Sequence, residues 1–174
     1  MTRHPAEHAW RCAAVVTALC AMGAKRPNGP WKPPETRPQD RAIIDAATAA
    51  RPFWKAIVAG PNFWTPALPE VVALEQRLPE YLRRQLCDDP PVGPQYCGFG
   101  RVPLWLKAPL YRRQYVGIFR GERRVIRGNF FCETHRNDWR TEPVVVFDGG
   151  DCFFQLDFDP KSGAFSNLIV NNEA

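Results

Sequence analysis

VVVFDGGDCFFQLDFD, residues 144–159, is the stretch whose reading decides the fold. Apolar residues alternate on both sides of Gly149-Gly150, which is the pattern of two half-buried strands joined by a tight turn. With the two glycines as a two-residue turn, Phe147 falls opposite Cys152 and Val145 opposite Phe154. Val145, Phe147, Cys152, Phe154, Leu156 and Phe158 then share one face, which predicts a hairpin with an inward core side. The same sixteen residues hold four aspartates, so a calcium loop competes with the turn reading, because hard cations want several carboxylate oxygens together. The spacing opposes it: after Asp157 and Asp159, Lys161 puts a cation in the third ligand slot and Gly163 falls at the seventh position. Asp148 and Asp151 flank the turn, where aspartate caps its own backbone. No metal is expected.

Working outward, Asp159 to Gly163 (DPKSG) is a type I turn with proline early and glycine at its end, and AFSNLIV follows as a last strand. Upstream, QYVGIFR and RRVIRGNFFC flank Gly121-Glu122, and glycine first in a two-residue loop fits a type II′ turn. Before Gln114 the period is helical. The spacing predicts helices over 39–50 (QDRAIIDAATAA), over 51–60 (RPFWKAIVAG) and over 69–86, where Val71, Leu74, Leu78, Leu82 and Leu86 make one stripe. Pro79 should kink or split the third. Residues 88–100 (DDPPVGPQYCGFG) read as a loop between the two halves. Phe53, Trp54, Phe63 and Trp64 anchor helix to sheet, or line a pocket. The expected fold is α+β: N-terminal helices on one face of a four- to five-stranded antiparallel meander, cystatin-like or NTF2-like, in a single domain over 39–174.

The first residues suggest an address. Arg3 and Arg11 precede an uncharged run of thirteen, Cys12 to Ala24, and Lys25-Arg26 follow. This reads as a signal peptide over 1–24, with a proline-rich spacer over 25–38. A membrane span is disfavoured, since a core of roughly 30 Å needs about 20 apolar residues. A lipid anchor at Cys20 is the variant reading, although Leu19 is larger than such a cleavage site prefers. Removing the leader takes away Cys12 and Cys20 and leaves Cys87, Cys97, Cys132 and Cys152, an even number that suits disulfides in an oxidising compartment. Three pairings exist; Cys87 with Cys97 and Cys132 with Cys152 is the preferred one. Zinc is the rival, but no two of these cysteines stand two to four residues apart.

Charge is lopsided. Residues 101–140 hold ten Arg or Lys against three acids, and 141–174 hold one Lys against six acids. Arg113, Arg120, Arg123, Arg124 and Arg127 crowd the first hairpin, where they form a patch for an envelope protein or an anionic ligand, or else pair with aspartates of neighbouring strands. Nucleic acid is the disfavoured member of that set. Catalytic signals are sparse. After the leader only His135 remains, with Glu133 and Asp138 beside it, so the alternative function is a small hydrolase or isomerase with a pocket between helices and sheet. No G-x-S-x-G, G-x-G-x-x-G or P-loop occurs, and no cofactor is expected.

Arg113-Gln114-Tyr115-Val116-Gly117, Asn129-Phe130-Phe131, Trp139, Asp148-Gly149-Gly150, Phe153-Phe154, Asp159 and Asn171 resemble short uncharacterised exported proteins of Gram-negative bacteria. The likeness covers the C-terminal third. It implies a periplasmic or secreted location and carries no known activity with it. The expectation is a non-enzymatic binding domain of the envelope.

Overall fold

The computed structural model describes residues 35–58, 62–88, 96–97, 102–134 and 138–171. The expected leader, the anchor at Cys20, most of the spacer, most of the 88–100 loop and His135 lie outside them. In chain order the elements are β1 (Arg41–Ile44), α1 (Ala46–Ala49), α2 (Pro52–Val58), β2 (Phe63–Trp64), α3 (Leu68–Cys87), α4 (Leu104–Lys107), β3 (Arg112–Arg120), β4 (Arg123–Phe131), β5 (Phe153–Asp159) and β6 (Ala164–Val170). The class is α+β. The sheet has six strands and is mixed: β3, β4, β5 and β6 form the expected antiparallel meander, while β1 runs parallel to β3 and β2 antiparallel to it, one after the other along the same edge.

The first hairpin forms as its sequence predicts. Arg120 pairs with Arg123 across Gly121-Glu122, and Gly121 has φ +62°. Glycine takes that left-handed conformation without steric cost. The DPKSG turn also holds: Asp159 Oδ1 accepts from the backbone N–H of Lys161 (2.8 Å) and Ser162 (3.2 Å), and Gly163 has φ +71°.

Helix α3 buries the predicted stripe, with Val71, Leu74, Leu78, Leu82 and Leu86 all at most 4% exposed. Each such side chain stabilises by roughly 2 kcal/mol on leaving water. Its first turn is closed by Glu70, whose Oε2 accepts the Ala67 N–H at 2.8 Å. Pro79 lies inside the helix without splitting it. The stripe packs on Tyr115, Ile126, Phe130, Phe154, Leu156 and Phe158, and Phe130 stacks on Phe154 at 4.4 Å.

Strand residues alternate between faces, so Val116, Ile118, Val125 and Phe131 point the other way, into a second core with Ala49, Trp54, Val58, Trp139 and Val144. Helices therefore cover both faces. The one-face packing expected from the sequence is corrected: α3 covers one side, and α1 and α2 cover part of the other. Trp54 and Trp64 are buried anchors, whereas Phe53 is 47% exposed.

Two further readings are corrected. Residues 39–50 are not one helix. After a 3-10 turn at Pro38–Asp40, Arg41–Ile44 is strand β1, and only Ala46–Ala49 is helical, N-capped by Asp45. Residues 144–148 are not a strand, and Gly149-Gly150 is not a two-residue turn. Both glycines have positive φ, and a 3-10 turn (Gly150–Cys152) leads into β5. Both edges of β5 are already taken, by β4 and β6. Residues 143–148 have nowhere to pair and instead lie over the second core. Gln114 Oε1 accepts the Val144 N–H, Asn129 Nδ2 donates to the Val144 carbonyl, and Asn171 Nδ2 donates to those of Val146 and Asp148. Phe154, Leu156 and Phe158 do share a buried face, but Val145 is 39% and Phe147 93% exposed.

Candidate functional site

The face of β3–β5 opposite α3 carries, near the hairpin turn, a polar cluster centred on Asp157. Register and alternation place Arg120, Arg123, Arg127, Asp157 and Asp159 on it, with Arg120 directly opposite Arg123 and Arg127 directly opposite Asp157. Asp157 is fully buried and accepts four groups: Arg127 through Nε and Nη2, Arg120 Nε at 3.2 Å, and Asn167 Nδ2 at 2.7 Å. Arg127 Nη1 also donates to Gln155 Oε1. Burial alone pushes the Asp157 carboxyl up. The hydrogen bonds from Arg127 and Asn167 and the charges of both arginines outweigh that and hold it below the ordinary carboxylate range.

Asn167 reaches Asp157 from an irregularity in the β5–β6 pairing, where it adopts φ +52°. Asparagine tolerates that conformation better than most residues.

Of the five arginines expected to form a binding patch, the structure treats each differently. Arg113 is 1% exposed and is not a surface contact: it binds Glu75 at 2.7 Å and donates to the carbonyls of Pro109, Tyr111 and Arg37. Arg127 and Arg120 are tied to Asp157. Arg124 lies 3.7 Å above the Trp64 ring, with Glu70 at 3.7 Å. Arg123 is exposed, and its charge helps hold the Asp159 carboxyl low after the hydrogen bond from Ser162. Pairing with strand acids and display at the surface therefore coexist, with Arg123 and Arg124 as the exposed members and Arg120 part-exposed beside Asp157. Beside the turn lies an open groove of about 450 Å³ whose charged lining has both signs: Arg123, Arg124 and Lys161 against Glu70, Glu122 and Asp159.

Farther along the same face, Arg127, Asn129 and Gln155 floor a recess of about 60 Å³ walled by Trp54, Val58 and Val145. That volume holds a few water molecules at ~10–15 Å³ each, far below the ~300 Å³ of a small metabolite pocket. Glu133 and Asp138, expected beside His135, are exposed.

The two expected disulfides, Cys87–Cys97 and Cys132–Cys152, are both present. Asp151, once a metal candidate, pairs with Lys107 at 2.5 Å. Among the described residues no group of three or more His, Cys, Asp or Glu is placed to hold a metal ion, and no helix is long and apolar enough to cross a membrane. Sequence reading missed the roles of Asp157, Asn167 and Glu75. Asp157 was visible only as one acid of a run, because its partners depend on the β4–β5 register. Comparison with protein-family models, with curated proteins and with solved structures gives no match.

Proposed function

We propose that the chain is an exported, non-enzymatic binding domain of a Gram-negative envelope that holds a protein partner at the arginine-rich end of the β3–β4 hairpin. The observation that carries this reading is the cross-strand pair Arg120 and Arg123, whose backbone positions stand directly opposite each other at the end of the hairpin, with Arg123 exposed and Arg120 part-exposed beside Asp157. Arg120, Arg123 and Arg127 face Asp157 and Asp159, three cations against two anions, and an acidic side chain from outside would offset the remaining positive charge. The mixed charges of the adjacent groove suit a polypeptide, which carries both signs, better than a polyanion such as nucleic acid. Two disulfides support the oxidising location that the leader and the resemblance imply. As a fold proposal, one 20-residue helix across a four-strand meander favours the cystatin-like arrangement over the NTF2-like one.

The test is a photo-cross-linking residue placed at position 123 or 120 in the native host, with Arg120→Glu and Arg124→Glu as companions. A single discrete adduct that disappears on charge reversal is expected. Absence of any adduct from the folded, oxidised protein would defeat the reading.

A further inference from the structure

The outer edge of β6 is the second place where the fold leaves chemistry unused. In the sheet order β6 stands last, and among the described residues no strand pairs with its outer side. Edges of this kind are normally blunted by lysine, proline or a bulge. β6 is seven residues long (AFSNLIV) and carries neither charge nor proline; its protection is the irregularity at Asn167. That kink breaks the edge into two short runs and leaves Ile169 and Val170, beyond Leu168, in regular register with Gln155 and Phe154. The Asn171 N–H is bonded inward, to the Phe153 carbonyl at 3.0 Å. With a period of two, the backbone N–H and C=O of Val170 and Leu168 point outward.

Side chains beside this edge make a groove. Leu168 and Val170 lie on the α3 side of the sheet, and with Tyr81, Gln85, Leu86 and Tyr96 they line an open hollow of about 480 Å³ between α3 and β6. Tyr81 stacks on Phe165 at 4.5 Å, so one wall is a fixed aromatic surface. The Cys87–Cys97 bond closes the end of α3 beside Tyr96. An added strand opposite Leu168–Val170 would direct every second side chain into this hollow.

We infer that β6 and α3 together form a peptide-binding site that takes an extended, uncharged segment with apolar or aromatic residues at alternate positions, as an additional sheet strand. Backbone hydrogen bonds at Leu168 and Val170 provide the affinity, and the hollow selects the side chains. The site is separate from the arginine-rich hairpin end.

The experiment selects displayed random heptapeptides on the oxidised protein and remakes the enriched ones synthetically. Convergence on apolar residues at alternate positions is expected. N-methylation at one alternate set of peptide amides should weaken binding at least about fivefold, the loss of one hydrogen bond, with little effect at the other set. Val170→Pro, which removes an outward N–H and leaves β5–β6 pairing intact, should cost as much, while Arg123→Glu should change nothing. Three results overturn the inference: no sequence convergence, equal response to methylation at both sets, or a concentration-dependent dimer abolished by Val170→Pro, which would give the edge to a second copy of this chain.

Discussion

Arg113 Nε lies 2.7 Å from Glu75 Oε1, and the two side chains are 1% and 2% exposed. Glu75 also accepts from Arg41, Thr36 and Tyr115, so one carboxylate on α3 ties down β1 and β3 together. With every acceptor position occupied it is a structural group. Glu75→Gln leaves two arginines without a counter-charge and should cost ~3–5 kcal/mol, read from the urea midpoint at neutral pH. A midpoint equal to that of the wild type would show the network to be dispensable.

Acid should unfold the protein through Glu75 and Asp157. On Glu75 burial pushes the carboxyl up, but the hydrogen bond from Arg41 and the charge and hydrogen bond of Arg113 outweigh it; both carboxyls end below their ordinary values. A folded-state pKa held low contributes stability that is fully present above the unfolded values, about 4, and is lost as pH falls through the folded ones. Urea midpoints should therefore be flat from neutral pH to about 5 and fall steeply below 4. Asp157→Asn should lower stability at neutral pH and flatten the acid slope. An unaltered slope would assign the acid sensitivity elsewhere.

Gly117 sits beneath Trp64. A Cβ built there would meet the Trp64 carbonyl oxygen at 2.2 Å and its ring at 2.6 Å. Gly117→Ala should push β2 off the β3 edge and cost a few kcal/mol, about 2–4. Gly121→Ala, which meets no atom within 4 Å but has φ +62°, should cost only about 1 kcal/mol. Thermal melts of the pair should rank in that order, and equal melts would contradict the close approach of β2.

Reduction should weaken the fold in two steps of similar size. Cys87–Cys97 closes 10 residues and Cys132–Cys152 closes 20. Loop-closure entropy gives each about 3 kcal/mol. Cys132→Ala/Cys152→Ala should lower the midpoint accordingly, and the protein should then refold poorly in reductant. Indifference of the midpoint to both pairs would leave the cysteines without a stabilising role.

Legibility followed the range of the forces involved. The β3–β4 hairpin, the DPKSG turn, the α3 stripe and both disulfides were readable because each depends on residues close in sequence or on a simple count. Residues 41–44 were not. Arg-Ala-Ile-Ile within an alanine-rich run favours helix locally, and it becomes a strand because β3 offers a parallel edge, Arg41 reaches Glu75 and Ala42 and Ile44 enter the second core. At the hairpin site the sequence located the arginines but could not distinguish buried Arg113 from exposed Arg123, since burial depends on which acid the fold brings alongside.

VVVFDGGDCFFQLDFD shows the division within one stretch. Alternation by itself determined that Phe154, Leu156 and Phe158 share a core face, because side-chain direction in a strand follows from backbone geometry alone. Only the tertiary structure decided that Val144 to Asp148 would not pair with them, because a strand has two edges and β4 and β6 occupy both. The same packing decided the aspartates, burying Asp157 between Arg120 and Arg127 through a register that no local pattern encodes.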